Sequence, residues 1–347
     1  MGSFTLTACY CVRLKKSIQI TIEMELELVE FSITNPLIYT VPFFVALIVL
    51  EIVLSLKHER HLYYWNDFFA SVSMGAGATL LATFTKLASI GAFFFLFEVF
   101  KPLRVALLGY EYFGWAWYVW VICQLLDDFN YYWYHRLSHT VRVLWAAHIV
   151  HHSSEHFNLG SGIRNGWVTL FYKPMFWMWM PIVGFHPVMV ATCLGIQAVY
   201  QFHLHTKSVP RLGFLEKFMN TPTQHQVHHS QNLEYLDKNH GGFLNIFDRI
   251  FGSFLALDKK NQPKYGVIHP PKTYNPFDIV SHEYRAICKD VRKAPTFKDK
   301  LMYIFGEPGW SHDGSTKTVK EIHREMAAGK FVPPAIRNAN AAERKLA

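Results

Sequence analysis

The sequence predicts an all-α fold, an integral-membrane helical bundle of about four to five spans with a basic C-terminal tail. Three observations lead there. Of 347 residues, 51% are hydrophobic and 17% charged, against roughly 25% charged in an ordinary soluble domain. Several apolar stretches approach or reach membrane-crossing length. The formal charge of +8 belongs to one end: residues 259–347 hold 17 Lys and Arg against 9 Asp and Glu, whereas the first 258 residues hold 17 of each. Nucleic-acid binding would need a basic face on the folded body, and the body is formally neutral.

In chain order, residues 1–34 read as an N-terminal extension. Arg13, Lys15 and Lys16 precede no apolar core of signal-peptide length. Gly2 is followed at position 6 by Leu6 instead of the Ser or Thr of a myristoylation signal. Residues 1–23, ahead of Met24, read as dispensable sequence from an upstream start codon. N-terminal membrane helices are expected over residues 35–111. Residues 37–56 carry one charge, Glu51, and are long enough for a ~30 Å hydrocarbon core. Residues 72–97 are interrupted only by Lys86, and Gly75, Ala76, Gly77 and Ala78 suit close helix contact. This second stretch either crosses or dips in and returns.

A third apolar stretch, residues 112–126, ends at Asp127 and Asp128. Residues 166–185, with Lys173 as their one charge, and 188–202 read as a hairpin of two spans hinged at His186-Pro187. The five cysteines (Cys9, Cys11, Cys123, Cys193, Cys288) form no CxxC pair, which fits reduced thiols facing a cytoplasm. WAWYVW (115–120) and FWMWM (176–180) read as interfacial aromatic belts before they read as a lipid-lining slot. The basic C-terminal region, 259–347, is punctuated by Pro263, Pro270, Pro271 and Pro276. Over residues 280–305, Val280, Tyr284, Ile287 and Val291 recur at helical spacing opposite Arg285, Lys289, Arg292 and Lys293. That pattern predicts a cap on the cytoplasmic face, with anionic headgroups as a further contact worth roughly 1 kcal/mol per well-placed basic residue.

Histidine carries the chemistry. Thirteen of nineteen lie between His135 and His240, in patterned groups: His135 and His139 in HRLSH; His148, His151 and His152 in HIVHH; His203 and His205 in QFHLHT; His225, His228 and His229 in HQVHH. Residues three and four apart share a helix face, so each box is expected to aim its imidazoles at one point. A structural zinc takes four ligands, usually including Cys, so eight or nine histidines suit two metal ions. HExxH and any ExxH are absent, which removes support for a zinc peptidase and for the soluble carboxylate di-iron bundle. An all-nitrogen set suits iron, copper or zinc. The boxes fall at span ends, on the side that also holds Lys57, Arg60 and the basic tail. The positive-inside rule makes that side the cytoplasm, in a bacterial inner membrane or endoplasmic reticulum.

DFNYYWYHRLSH, LWAAHIVHHSSEHFNL, QFHLHT and NTPTQHQVHHSQNLEYLDKNHGGFLNIFDRIFGSF together resemble the fatty acid hydroxylase/sterol desaturase superfamily of membrane di-iron oxygenases over about residues 120–258. The third block and EPGW (307–310) look most like its alkylglycerol monooxygenase branch and bacterial relatives. The resemblance makes 112–258 a catalytic domain. It implies iron ligands at His135, His139, His148, His151, His152, His225, His228 and His229, and adds His205. His203 stands where relatives often have an aromatic residue, and His240 where Tyr is common; each is either an extra ligand or a plain substitution. His156 and His186 read as structural or solvated. Asp128 and Asn158, then Asp237 and Asp248, are the candidates for fixing the tautomer of a ligating ring.

The implied chemistry is O₂-dependent oxidation of a lipid C–H bond, giving a hydroxyl or a double bond. The favoured substrate is an ether lipid, with a sterol or acyl chain behind it. Nothing resembles a flavin or nicotinamide fingerprint, and Gly241-Gly242 is no phosphate loop. Reducing equivalents therefore come from outside, from tetrahydrobiopterin or a cytochrome or ferredoxin partner. The reading of another class, a histidine-rich zinc transporter, would place ligands near the bilayer midplane instead of at span ends.

Overall fold

The computed structural model describes residues 37–330; the N-terminal extension, Cys9, Cys11 and the last 17 residues lie outside the described residues. Helices account for all the regular structure there: no strand forms, and only two isolated antiparallel bridges occur, Met219 with Leu244 and Ser230 with Tyr265. The chain divides into two compact units at Val49–Leu50, within the first helix. Of the first unit, only the opening turns of that helix are described, and Val41, Phe43, Val45 and Val49 are exposed on them. The site lies wholly in the second unit.

Among the described residues, two helices are long and apolar enough to cross a membrane, α1 (Leu37–Lys57) and α2 (Trp65–Val99). Only 17% and 22% of their apolar windows is buried inside the protein, so these are not the core helices of a soluble body. At ~1.5 Å per residue, the 35 residues of α2 are about 52 Å long and exceed a ~30 Å hydrocarbon core. The small residues of α2 receive a loop: a Cβ at Gly77 would lie 2.7 Å from the Trp167 ring, and one at Gly75 2.9 Å from the Ile163 carbonyl. Trp167 Nε1 donates to Met74 O at 3.1 Å.

After α3 (Lys101–Leu108) comes α4 (Trp117–Thr140), which absorbs most of the third apolar stretch and continues through the first histidine box. Residues 166–185 do not form one helix. They break into α7 (Thr169–Tyr172), a 3₁₀ turn (Lys173–Trp177) and α8 (Trp179–Val183). Pro174 and Pro181 each remove a backbone donor, and Gly184 closes α8 at φ 114°. Lys173 is accommodated over the Tyr131, Tyr134 and Trp177 rings at 5.3–5.8 Å. Then α9 (Pro187–His203) starts at the expected His186-Pro187 hinge, with His186 as its N-cap. One buried core joins these elements: Val119, Cys123, Tyr131 and Tyr134 of α4 pack with Trp177, Met180, Met189, Val190 and Cys193.

The site-bearing short helices are α5 (Arg142–His152), α6 (Leu159–Gly162), α10 (Pro222–His228) and α11 (Ile246–Ile250). The tail folds back as α12 (Pro276–Lys293), α13 (Phe297–Phe305) and α14 (Val319–Ala327). Its apolar side faces inward. Ile279, Val280 and Ile287 are buried, Tyr284 and Val291 half-buried, and Arg285, Lys289, Arg292 and Lys293 exposed. Arg142 at the start of α5 pairs with Glu283 at 2.9 Å and Asp290 at 2.7 Å of α12, and its N–H donates to Gly306 O at 2.9 Å. EPGW forms the turn that follows, with Trp310 packed on Tyr303.

Arg104, 3% exposed, staples the N-terminal helices to α8. Its guanidinium donates to the carbonyls of Phe97, Glu111, Pro181 and Ile182 at 2.7–3.2 Å. Arg104→Leu leaves four carbonyl oxygens without their donor and is expected to lower stability by about 2–4 kcal/mol. Thermal unfolding in detergent checks this, and an unshifted midpoint contradicts it.

Candidate metal centre

Nine histidines converge on two points. His135 and His139 lie on the last turns of α4; His148, His151 and His152 on α5; His205 just past α9; His225 and His228 on α10; and His229 at the end of α10. One group comprises His135, His139, His148, His152 and His228, and the other His151, His205, His225 and His229; within each, one nitrogen per residue lies within 4.8 Å of the others. All are buried except His151, which is half-buried.

The two H-x2-HH boxes are each divided. Box two sends His148 and His152 to the five-membered group and His151 to the four-membered one; box three sends His225 and His229 to the four and His228 to the five. The expectation that each box aims at a single point is therefore corrected. At about 100° per residue, adjacent histidines of one helix point about 100° apart, so the i and i+4 members share a face and the i+3 member serves the other side.

The inner nitrogens stand close. His148 Nε2 is 3.0 Å from His135 Nε2 and 3.1 Å from His152 Nε2. His205 Nε2 is 3.0 Å from both His151 Nε2 and His225 Nε2, and His225 and His229 are 3.1 Å apart. Four outer nitrogens face backbone carbonyls: His135 Nδ1 to His240 O at 2.9 Å, His151 Nδ1 to Arg164 O at 3.0 Å, His205 Nδ1 to Gln201 O at 2.8 Å and His228 Nδ1 to Lys238 O at 2.9 Å. A carbonyl only accepts, so each of these rings carries its proton on Nδ1 and turns an Nε2 lone pair inward. His151 and His205 thus present two lone pairs to each other at 3.0 Å, which neutral rings cannot turn into a hydrogen bond. His139 Nε2 and His228 Nε2 are buried with no hydrogen-bond partner among the described residues. A cation resolves both features. Metal–nitrogen bonds of about 2.1 Å set neighbouring ligand nitrogens roughly 3.0–3.4 Å apart in octahedral or tetrahedral geometry. The residues present fit two metal ions.

Burial, followed by the neighbouring imidazoles, holds His148, His152, His225 and His229 well below the usual histidine range. His151 is pushed down to about 4 by burial, which the Arg164 carbonyl partly opposes. The rings therefore stay neutral, the state in which imidazole ligates.

The carbonyls are themselves held. Asp128 touches no histidine; its carboxylate accepts from the N–H groups of Phe243 at 2.6 Å and Leu244 at 2.9 Å. Asp248 accepts from the N–H groups of His240 at 2.7 Å and Gly241 at 2.6 Å and from Ser253 Oγ at 2.7 Å. Together they hold the loop whose His240 carbonyl takes His135 Nδ1. Gly241-Gly242 lets the backbone approach, since a Cβ at Gly242 would fall 2.6 Å from Asp128 Oδ1. Asp237 meets His139 Nδ1 at 3.4 Å. Asn158 caps α6 and donates to Leu62 O. Asp67 of α2 pairs with Arg164 at 2.5 Å and accepts from Ser154 at 2.5 Å, which steadies the segment whose carbonyl orients His151.

The remaining histidines fall outside the two groups. His203 Nδ1 bonds Val199 O at 2.7 Å. His240 is buried with its ring centroid 5.0 Å from that of His139. His186 packs among Phe94, Phe97 and Trp115, and His156 stacks on Tyr64. Residue patterns did not reveal Asp67, Arg164 or the four carbonyls. A charge inside an apolar stretch, as at Glu51, was the available signal for a buried polar network.

Residues 120–253 match the fatty acid hydroxylase family. The chain is 34% identical over 294 residues to an alkylglycerol monooxygenase of Homo sapiens, covering 84% of this chain and 63% of that protein. It is 33% identical over 271 residues to an alkylglycerol monooxygenase of Xenopus tropicalis, covering 78% and 58%. An ornithine lipid hydroxylase OlsE of Rhizobium tropici is 27% identical over 156 residues, covering 42% and 45%. The chain thus spans about six-tenths of the alkylglycerol monooxygenases of Homo sapiens and Xenopus tropicalis. No solved structure matches it.

Because the folded rings resist protonation, the unfolded chain binds more protons below about pH 6.5, so stability falls as pH falls. In chelator, the unfolding midpoint is expected to be level above about pH 7 and to drop steadily toward pH 4. A midpoint indifferent to pH over that window contradicts the burial of neutral rings.

Proposed function

We propose that the chain, whose residues 120–253 match the fatty acid hydroxylase family, uses O₂ to oxidise an unactivated C–H bond of a membrane lipid at a pair of iron ions. The observation that carries this is the sorting of nine imidazoles, eight buried and one half-buried, into groups of five and four, with the Nε2 lone pairs of His135, His151, His205 and His228 turned inward. His135, His139, His148, His152 and His228 would hold one ion, and His151, His205, His225 and His229 the other. Bound there, iron supplies the O₂ activation and hydrogen abstraction that side chains cannot provide.

The chain's own part is placement and exclusion of water. The carbonyls of Arg164, Gln201, Lys238 and His240 hold four rings in the ligating tautomer. The core of α4, α8 and α9 meets the site where Tyr131 packs against His135 and gives an apolar surround on that side. The name of the relatives, alkylglycerol monooxygenase, points to an ether lipid as substrate class. Electrons come from tetrahydrobiopterin or from a cytochrome or ferredoxin partner. The placement that goes with this reading has four to five spans and both histidine groups on the cytoplasmic face. Lys57, Arg60 and the exposed bases of α12 face the anionic lipid surface there. Residues 35–111 supply the N-terminal membrane helices, 112–258 the catalytic domain and 259–347 the basic tail.

Metal content and labelled oxygen test the proposal together. His228→Ala and His151→Ala should each lose about one of two irons per chain, the double variant both, and each should cut label transfer from ¹⁸O₂ to lipid by about 100-fold or more. Lipids of cells with and without the gene should differ in labelled or desaturated species. A protein that holds only reversibly bound zinc and consumes no oxygen overturns the reading.

A further inference from the structure

Glu51 is the one charge in the first apolar stretch, and the chemistry above gives it no task. It is 4% exposed, and a buried carboxylate in apolar surroundings is costly unless donors surround it. They do. Oε2 accepts from Tyr63 Oη at 2.6 Å and from the Leu159 N–H at 2.8 Å. Oε1 accepts from Thr206 Oγ1, and Ser208 Oγ approaches at 3.4 Å.

Two of these partners adjoin the four-histidine group. Thr206 directly follows His205. Leu159 opens α6, whose Gly162 backs onto His205 so closely that a Cβ there would meet the Cβ and Cγ of His205 at 3.0 Å. The ring of His205 is thus gripped from both ends of the segment that Glu51 ties down. The direct carbonyl and carboxylate partners of both groups lie within residues 120–253; Glu51 reaches the four-histidine group from outside that range, through Thr206 and Leu159.

We propose that Glu51 is a positioning residue for the four-histidine group, pinning the His205 turn to the start of α6 so that His205 Nε2 stays 3.0 Å from His151 and His225. The proposal rests on reading that group as a metal site. Its chemistry distinguishes two substitutions of similar size. Gln keeps an oxygen for Tyr63 and Leu159 and offers an N–H that the rotatable Thr206 hydroxyl accepts. Leu keeps the volume, removes every acceptor and strands the Leu159 N–H in a buried place.

Cobalt(II) titration of the full chain in detergent, read by metal content and ligand-field absorption, tests this without turnover. Wild type and Glu51→Gln should bind about two ions, and Glu51→Leu should retain one site unchanged while the other weakens by about 10–100-fold. Adding His228→Ala to Glu51→Leu should remove the remaining strong site. If Glu51→Leu does not fold, Thr206→Val, which deletes one of the donors, should weaken the same single site. Two unchanged sites in whichever of these variants folds, or equal weakening of both sites in a folded one, overturns the role of Glu51. A wild-type chain that binds no cobalt overturns instead the metal-site reading beneath it.

Discussion

Nine imidazoles gathered on two points, all buried but the half-buried His151, are the arrangement on which the rest of the structure depends. In water each ring would hydrogen-bond or protonate. Burial denies both, so the outer nitrogen of a ring must find an acceptor inside the protein, and four of them find carbonyls. Those carbonyls lie in segments with no helical ladder to stiffen them, apart from Gln201 near the end of α9. Buried carboxylates hold the segments of two: Asp128 and Asp248 around residues 240–244, and Asp67 through Arg164. The histidines are thus the innermost of three layers, each of which exists to satisfy the one inside it.

The division of α5 and α10 between the groups couples them. Each helix gives two rings to one group and one to the other, so a rotation of either helix disturbs both. His135 and His139 on α4 then complete the five, and His205 beyond α9 completes the four. The aromatic and sulfur-rich core that joins α4, α8 and α9 is therefore more than bulk: it packs together the two helices whose ends carry His135, His139 and His205.

Segments outside residues 120–253 have roles toward this centre. Glu51 and Asp67 reach it from α1 and α2, and Arg142 ties the start of α5 to the folded-back tail through Glu283, Asp290 and the Gly306 carbonyl. The tail's amphipathic face packs inward and its bases point out, so the basic residues of α12 lie on a structured cap.

The sequence by itself determined which side chains matter and what local structure carries them. Histidine spacing on helical segments marked eight of the nine rings and the family resemblance added His205, long apolar stretches marked α1 and α2, and the helical spacing of Val280, Tyr284, Ile287 and Val291 marked the inward face of α12. Those properties depend on residues within a turn or two of one another. Tertiary structure decided the rest: the split of each H-x2-HH box, the breaking of residues 166–185 around Pro174 and Pro181, and the partners that orient each ring. Several partners are backbone carbonyls, which every residue has and no motif can mark. Others, such as Glu51 with Thr206 or Asp128 with Phe243, are separated by more than a hundred residues. Local spacing carries no information across that distance; only the packing that buries both ends brings them together.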